Sequence, residues 1–353
     1  MKKIHRMQLP REIIVGDETL NLIGELCERL GFSKSALVIT GPKTFDIAGH
    51  KIVDLLMDEG VETNYMIISS NVPTLRDVEA AERRIRDLKP QVVLGVGGGA
   101  KIDIAKLSSA RQSTPFISVP TTASHDGMAS PFASIKGLNK PYSIMAQSPI
   151  AIIADTSIII EAPYRYIASG CGDVIAKFTA IRDWHLAHIR RNEYYAQYTA
   201  SLALMSAHHI SRNAHLIRSG EVKGVRVLLE ALVSCGVAMG IAGSSRPCSG
   251  SEHLFSHALD MIAPKPAMHG EQCGVGTIMM AYLHGMDWKY IRRVLEEIGA
   301  PTTAEELGIN PRYVIEALVI ARNIRPERYT ILNEKPLNRR SAEKIARLTG
   351  VID

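Results

Sequence analysis

No two of the five cysteines stand at C-x-x-C spacing, and Cys27, Cys171, Cys235, Cys248 and Cys273 are odd in number. That pattern argues against a disulfide framework and against a structural zinc site. Basic runs with interleaved aromatics are missing too, so the net charge of +5 points to a small anionic substrate better than to nucleic acid. The longest apolar run, PIAIIADTSIIIEAP, is interrupted at Asp155 and Thr156 and falls short of a bilayer span. Behind the two lysines of MKKIHRMQLPREIIVG no continuous apolar stretch follows, so neither a secretory signal nor a membrane anchor is read. The expectation is a reduced, cytoplasmic protein, with no internal repeat and no low-complexity segment.

What is present divides into two textures. The 353 residues, 46% hydrophobic and 22% charged, fit a globular chain, and the length sits nearer to two domains than to one. From residue 11 to about 160, helix-like stretches such as ETLNLIGELCERLG and TLRDVEAAERRIRDL separate the short β-rich runs ALVIT, NYMIIS, QVVLGVG and PFISVP. This alternation predicts βαβ units and a mostly parallel sheet. PFASI, the turn KGLNKP, YSIMA and AIIAD then predict a hairpin inserted before the last strand. After Pro163 helical periodicity takes over, as in YYAQYTASLALMSAHHISRNAHLI and RVLLEALVSCGVAMGIAGSS. The expected architecture is an α/β N-terminal domain with a Rossmann-like parallel sheet over residues 1–162, followed by an all-helical domain over 163–353, with the active site in the cleft between them.

VVLGVGGGAKIDIAK reads as strand, tight glycine turn, helix. Gly97, Gly98 and Gly99 let backbone amides approach a bound group, and the helix that follows offers its partly positive end to a phosphate. The loop follows a middle strand, however, and no acidic residue closes a later strand to bind a ribose, so it departs from the ordinary dinucleotide fingerprint. A glycine-rich turn that merely tightens the chain is the plain alternative. SVPTTASHDGMAS, after the next strand, adds the hydroxyls of Thr121, Thr122 and Ser124. Ligands of open parallel sheets bind at the carboxyl ends of strands, so the two loops should border one crevice.

HLFSHALDMIAPKPAMHGE places His253 and His257 four residues apart, on one helix face, and adds His269 in an HGE turn. Two or three imidazoles need an oxygen ligand for an open Lewis-acid site, and Asp173 in SGCGDVIAKF is a candidate. The same aspartate, after two glycines at the start of an expected helix, also reads as an N-cap. Histidines 185, 188, 208 and 209 read as surface or packing residues, and the cysteines near the candidate site as small core residues.

These stretches together resemble the metal-dependent polyol dehydrogenases, a family that includes glycerol dehydrogenase and the iron-type alcohol dehydrogenases, with dehydroquinate synthase as a relative. The resemblance covers essentially the whole chain. It is carried by Gly97 to Lys106, with Asp103 and Lys106 in register, by PTTASHD ending at Asp126, by APYRYIASGCGD, and by the histidine block ending in HGE. TTASHDGMASPFASI, CSGSEHLFSHALD and HGEQCGVGTIMM are similar to the branch that makes the glycerophosphate backbone of archaeal lipids. The resemblance implies NAD(P)H-dependent, reversible reduction of dihydroxyacetone phosphate to sn-glycerol 1-phosphate by a homo-oligomer, a dimer or octamer. It implies Asp173, His253 and His269 as ligands of one zinc per subunit, His257 beside the substrate as proton donor or water-orienting group, and Asp126 on a substrate hydroxyl. The coenzyme, NAD(H) or NADP(H), would be held by Gly97, Gly98, Gly99, Ala100, Lys101, Ile102 and Asp103, and by Thr121, Thr122, Ala123, Ser124 and Ser130. The iron-type branch has a fourth ligand, a histidine, four residues after the aspartate; Lys177 stands there, which favours zinc. The strand ending VITGPKT, taken as the first of the coenzyme domain, has no acidic tip to reject a 2′-phosphate, so either coenzyme is expected. Rival readings are a glycerol dehydrogenase acting on the unphosphorylated polyol, a lyase like dehydroquinate synthase, and a non-catalytic nucleotide binder.

Overall fold

The computed structural model describes His5, residues 7–135 and residues 142–353. The expected turn KGLNKP, residues 136–141, lies outside them. The chain divides into two compact units, Met1–Pro163 and Tyr164–Asp353.

In the first unit six strands form one parallel sheet: β1 (Glu12–Gly16), β2 (Ser35–Thr40), β3 (Glu62–Ile67), β4 (Val92–Gly97), β5 (Phe116–Pro120) and β8 (Ala151–Asp155), in the order β1-β8-β5-β4-β2-β3. The central strands β4, β5 and β8 are buried along their whole length. That is why they read as continuous apolar runs and not as alternating ones: helices cover both faces of a parallel sheet. The strand ending in Thr40 is therefore second in the chain, not first. The first, β1, is five residues on the sheet edge, too short for its EIIVG to stand out as a strand. Its position is fixed from the far end of the unit, where the Asp155 carboxylate accepts from the Glu18 amide at 3.1 Å and the Leu20 amide at 3.0 Å.

After β2 the chain steps outward to β3, then returns to place β4 on the other side of β2. The direction of winding reverses between β2 and β4, and the loops beyond their carboxyl ends flank the switch point where open α/β sheets bind ligands. β6 (Phe132–Ile135) and β7 (Tyr142–Met145) pair antiparallel, as the hairpin reading expects. The hairpin is anchored from beneath. Buried Lys106 donates to the carbonyls of Gly127 at 2.6 Å and Phe132 at 2.7 Å and pairs with Asp103 at 3.3 Å, while Asp103 accepts the Ser134 amide at 3.0 Å.

The second unit is helical throughout its described residues. One helix, Val222–Ala242, is long and apolar enough by length and composition to cross a bilayer, longer than the run read from sequence, and most of it is buried inside the unit. Three other helices build the site. Tyr164–Ile175 carries Asp173, Ser251–Ile262 carries His253 and His257, and His269–Leu283 begins at His269. Asp173 therefore stands near the end of its helix, not the start, so the N-cap reading does not hold. Gly170 and Gly172 are helix residues here, and close approach explains Gly172. A Cβ on Gly172 would run into the Gly270 carbonyl, and one on Gly270 into the Ser169 carbonyl. Glycine at both positions lets the aspartate helix and the His269 helix touch backbone to backbone.

Candidate functional site

In the second unit, ligand atoms of Asp173, His253, His269 and Cys273 all lie within 4.8 Å of one another. Each arrives for a local reason. The HGE turn is pinned by its glutamate, whose buried carboxylate accepts from Nε and Nη2 of Arg165 at 2.5 and 2.7 Å and from the Met268 amide at 3.0 Å. Gln272 ties that helix to the two-histidine helix through the Ser256 carbonyl at 3.2 Å and hydroxyl at 3.0 Å. The Ser256 hydroxyl in turn meets His269 Nδ1 at 3.2 Å. The imidazole rings of His253 and His269 stand 5.0 Å apart, and those of His257 and His269 5.9 Å apart.

The electrostatics match a cation site. His253 Nε2 lies 3.4 Å from Asp173, and its Nδ1 is 2.8 Å from Glu252, a carboxylate with no solvent exposure. Glu252 also accepts from the Gly250 amide and the Thr179 hydroxyl, each at 2.6 Å. Burial pushes the Asp173 pKa upward, but Lys177, His253 and His269 outweigh it and hold the carboxyl well below its usual range. Against the penalty of burial, Cys273, Asp173 and Glu252 hold His253 well above the ordinary imidazole value. Two carboxylates thus flank a position where, with no metal bound, a proton on His253 and the Lys177 ammonium answer their charge. Two imidazoles, a carboxylate and a thiol are the donor set that suits zinc, and the Glu252–His253 contact is the outer carboxylate that such histidine ligands ordinarily have. Lys177 Nζ sits 2.8 Å from Asp173 in full burial, so the position that would carry an iron ligand carries a cation instead.

His257 is placed differently. Burial, then His269, His253, Arg325 and Arg328, hold its pKa well below the usual imidazole value, and its buried Nδ1 has no hydrogen-bond partner among the described residues. The ring is neutral at pH 7. Histidines 185, 188, 208 and 209 are exposed and outside the group.

Four further residues bear on the group, none of them assigned a role there from the sequence, where Cys273 reads as a small core residue. Cys273 stands one turn after His269, with Sγ 3.6 Å from His269 Nε2; the i, i+4 spacing was the available signal. Glu252, next to His253, was given no role from the sequence. The arginines 325 and 328 carried no local signal at all.

In the first unit the glycine loop and the loop after β5 adjoin, through the Thr121 amide donating to the Gly97 carbonyl at 3.1 Å. Gly97 has φ 145°, a conformation that glycine alone adopts readily. Gly98 then caps the Gly99–Arg111 helix, its carbonyl accepting from the Lys101 amide at 3.0 Å, so the amino end of that helix follows directly on β4. The hydroxyls of Thr121 and Thr122 are buried without partners among the described residues, so the loop holds polar groups that a bound polar ligand would satisfy. Lys101 is spent on the Ser70 carbonyl and Asp103 on the hairpin. Ser130 exchanges hydrogen bonds with the Phe132 backbone at 3.2 and 3.3 Å. Ile102, Ala123 and Ser124 are buried, and Asp126 opens a short turn after His125, partly exposed.

A parallel sheet with a glycine loop at its switch point, followed in the chain by helices that gather carboxylate and imidazole, defines a class: the iron-containing alcohol dehydrogenases, whose family model matches residues 14–163. The fold agrees, since glycerol dehydrogenase from Schizosaccharomyces pombe superposes with a TM-score of 0.82 over 99% of this chain and 91% of that one, at 23% identity. Within that class the chain belongs to the glycerol-1-phosphate dehydrogenase family. It is 54% identical over 351 residues to the glycerol-1-phosphate dehydrogenase [NAD(P)+] of Thermococcus kodakarensis, covering 99% of both chains. It is 53% identical to that of Pyrococcus furiosus, covering 99% of this chain and 100% of the other.

Proposed function

We propose that this protein reduces dihydroxyacetone phosphate reversibly to sn-glycerol 1-phosphate, taking a hydride from NADH or NADPH and a proton from solvent. The observation that carries the reading is the Asp173, His253 and His269 group, its first two members buried and the third partly exposed, in a chain that shares over half its residues with relatives named for that activity. Asp173, His253 and His269 would hold one zinc ion, and the loops after β4 and β5 the coenzyme. When bound, the coenzyme supplies the hydride and the metal supplies Lewis-acid polarisation of the C2 carbonyl.

The protein's own groups do the rest. Glu252 fixes the tautomer of His253 so that Nε2 points toward Asp173. Lys177 holds Asp173 Oδ1, the oxygen that also faces His253 Nε2, and so fixes the carboxylate at the group. His257, held neutral, orients the hydroxyl or water that delivers a proton to the C2 oxygen, and it does so as a hydrogen-bonding group instead of a reservoir of charge. Asp126 receives a substrate hydroxyl.

The test is an assay with dihydroxyacetone phosphate and dihydroxyacetone, each with NADH and NADPH, before and after chelation and again after zinc is restored. Activity on the phosphorylated triose, lost on chelation and recovered with zinc, is the expected result. Equal efficiency on the two trioses would remove the substrate assignment, and indifference to chelation would remove the metal.

A further inference from the structure

The donor group of the second unit has a fourth member besides the three proposed metal ligands. Cys273 is fully buried one helical turn beyond His269, and that spacing sets its thiol on the same helix face as the imidazole. Its Sγ lies 3.6 Å from His269 Nε2 and 4.0 Å from Nδ1, so it sits toward the nitrogen remote from the Ser256 hydroxyl. His253 is oriented alike: Nδ1 meets Glu252 at 2.8 Å, and Nε2 faces Asp173 at 3.4 Å. Each imidazole thus has an oxygen at Nδ1 and another donor of the group at Nε2.

A zinc ion dictates the spacing of its ligands. Bonds of about 2.05 Å to nitrogen or oxygen and about 2.3 Å to sulfur, at the tetrahedral angle, place nitrogen and oxygen ligands ~3.4 Å apart and nitrogen and sulfur ligands ~3.6 Å apart. The His253–Asp173 and His269–Cys273 edges have those lengths, 3.4 and 3.6 Å, and all four ligand atoms lie within 4.8 Å of one another. Cys273 is set among two imidazoles and a carboxylate, surroundings that a thiol filling an apolar core does not need. On the aspartate's own side the next helical turn offers no donor, because the Lys177 ammonium stands there, 2.8 Å from Asp173.

We infer that Cys273 is a fourth ligand of the metal, bound as the thiolate, and that the resting site is a closed tetrahedron of Asp173, His253, His269 and Cys273. This rests on the reading of the first three as metal ligands. A substrate oxygen then enters as a fifth donor, an expansion that catalytic zinc allows. The sulfur also decides which metal is retained, since thiolate favours zinc over a hard ion such as manganese, which carboxylate and water suit.

X-ray absorption at the zinc edge of the zinc-loaded wild type should show one sulfur at about 2.3 Å beside nitrogen and oxygen at about 2.0–2.1 Å. A shell without sulfur overturns the fourth ligand and leaves the three-ligand reading standing; a chain that retains no zinc overturns both. The cobalt(II)-substituted protein should show thiolate-to-metal charge-transfer absorption in the near ultraviolet, kept in Cys171→Ser and lost in Cys273→Ser. Competition with a chromophoric chelator should find Cys273→Ser weaker for zinc by more than about tenfold, because an outer-shell partner alone is worth roughly 10–100-fold, with manganese affinity less affected. A band that survives in Cys273→Ser or vanishes in Cys171→Ser, or equal losses for the two ions, overturns the assignment. If Cys273→Ser does not fold, Cys273→Ala takes its place in the cobalt and chelator arms, and the zinc-edge spectra of the wild type and Cys171→Ser decide whether the sulfur is bound.

Discussion

Glu252 has no solvent exposure, yet burial's upward push on its pKa is overcome by His253, Thr179 and the Gly250 amide, which hold it below the usual carboxylate value. A carboxylate kept ionised in the interior beside an imidazole has one clear use, to make that imidazole a better and better-aimed ligand. Glu252→Gln is accordingly expected to weaken zinc binding by roughly 10–100-fold, read by competition with a chromophoric chelator. An unchanged affinity would reduce Glu252 to a packing residue. Its role could not be seen in the sequence because nothing local distinguishes it from a solvated glutamate in a first turn. The histidines and Asp173 were legible, since four-residue spacing and the HGE turn are local signals. Their roles came from the family phrases.

At the scale of elements, the alternation of short β-rich runs and helical stretches anticipated the parallel sheet, and each of the four β-rich runs became a strand. Beside the short edge strand β1, one reading failed because of packing. Glycines in SGCGD read as a helix boundary, whereas Gly172 lies inside a helix because the Gly270 backbone passes too close for any side chain. Sequence spacing carries no record of what packs against a residue. The inserted hairpin gives the element-scale prediction. Asp103→Asn strips Lys106 of its charge partner while leaving it buried with two carbonyls, and removing one member of a buried pair typically costs ~3–5 kcal/mol. Denaturant titration should register a loss of that size. Adding Lys106→Met should restore part of it, because the uncompensated charge leaves with the lysine.

For the whole molecule, metal and stability are linked. A ligand present at one hundred times its Kd adds about 2.7 kcal/mol to the folded state, so zinc should raise the melting temperature, and Asp173→Ala should abolish that increment. The increment should also depend on pH. With no metal bound, His253 keeps its proton above the ordinary imidazole range, and zinc must displace it, so the stabilisation by zinc grows as pH rises through that range and shrinks as it falls. Without zinc the sign reverses: the protonated His253 contributes stability that is fully present below its unfolded pKa and is lost as pH rises through the raised folded value. Thermal melts across pH, with and without chelator, separate the two slopes.

The pairing of β1 with β8 sets a schedule for biosynthesis. Asp155, which receives the Leu20 amide, lies 135 residues later in the chain. At about 5–20 residues per second of translation, the amino-terminal strand waits roughly 7–27 s before its neighbour exists. Throughout that interval its hydrogen-bonding edge is open to other nascent chains, so Glu12–Gly16 is the part of this enzyme that a ribosome-associated chaperone has most reason to hold.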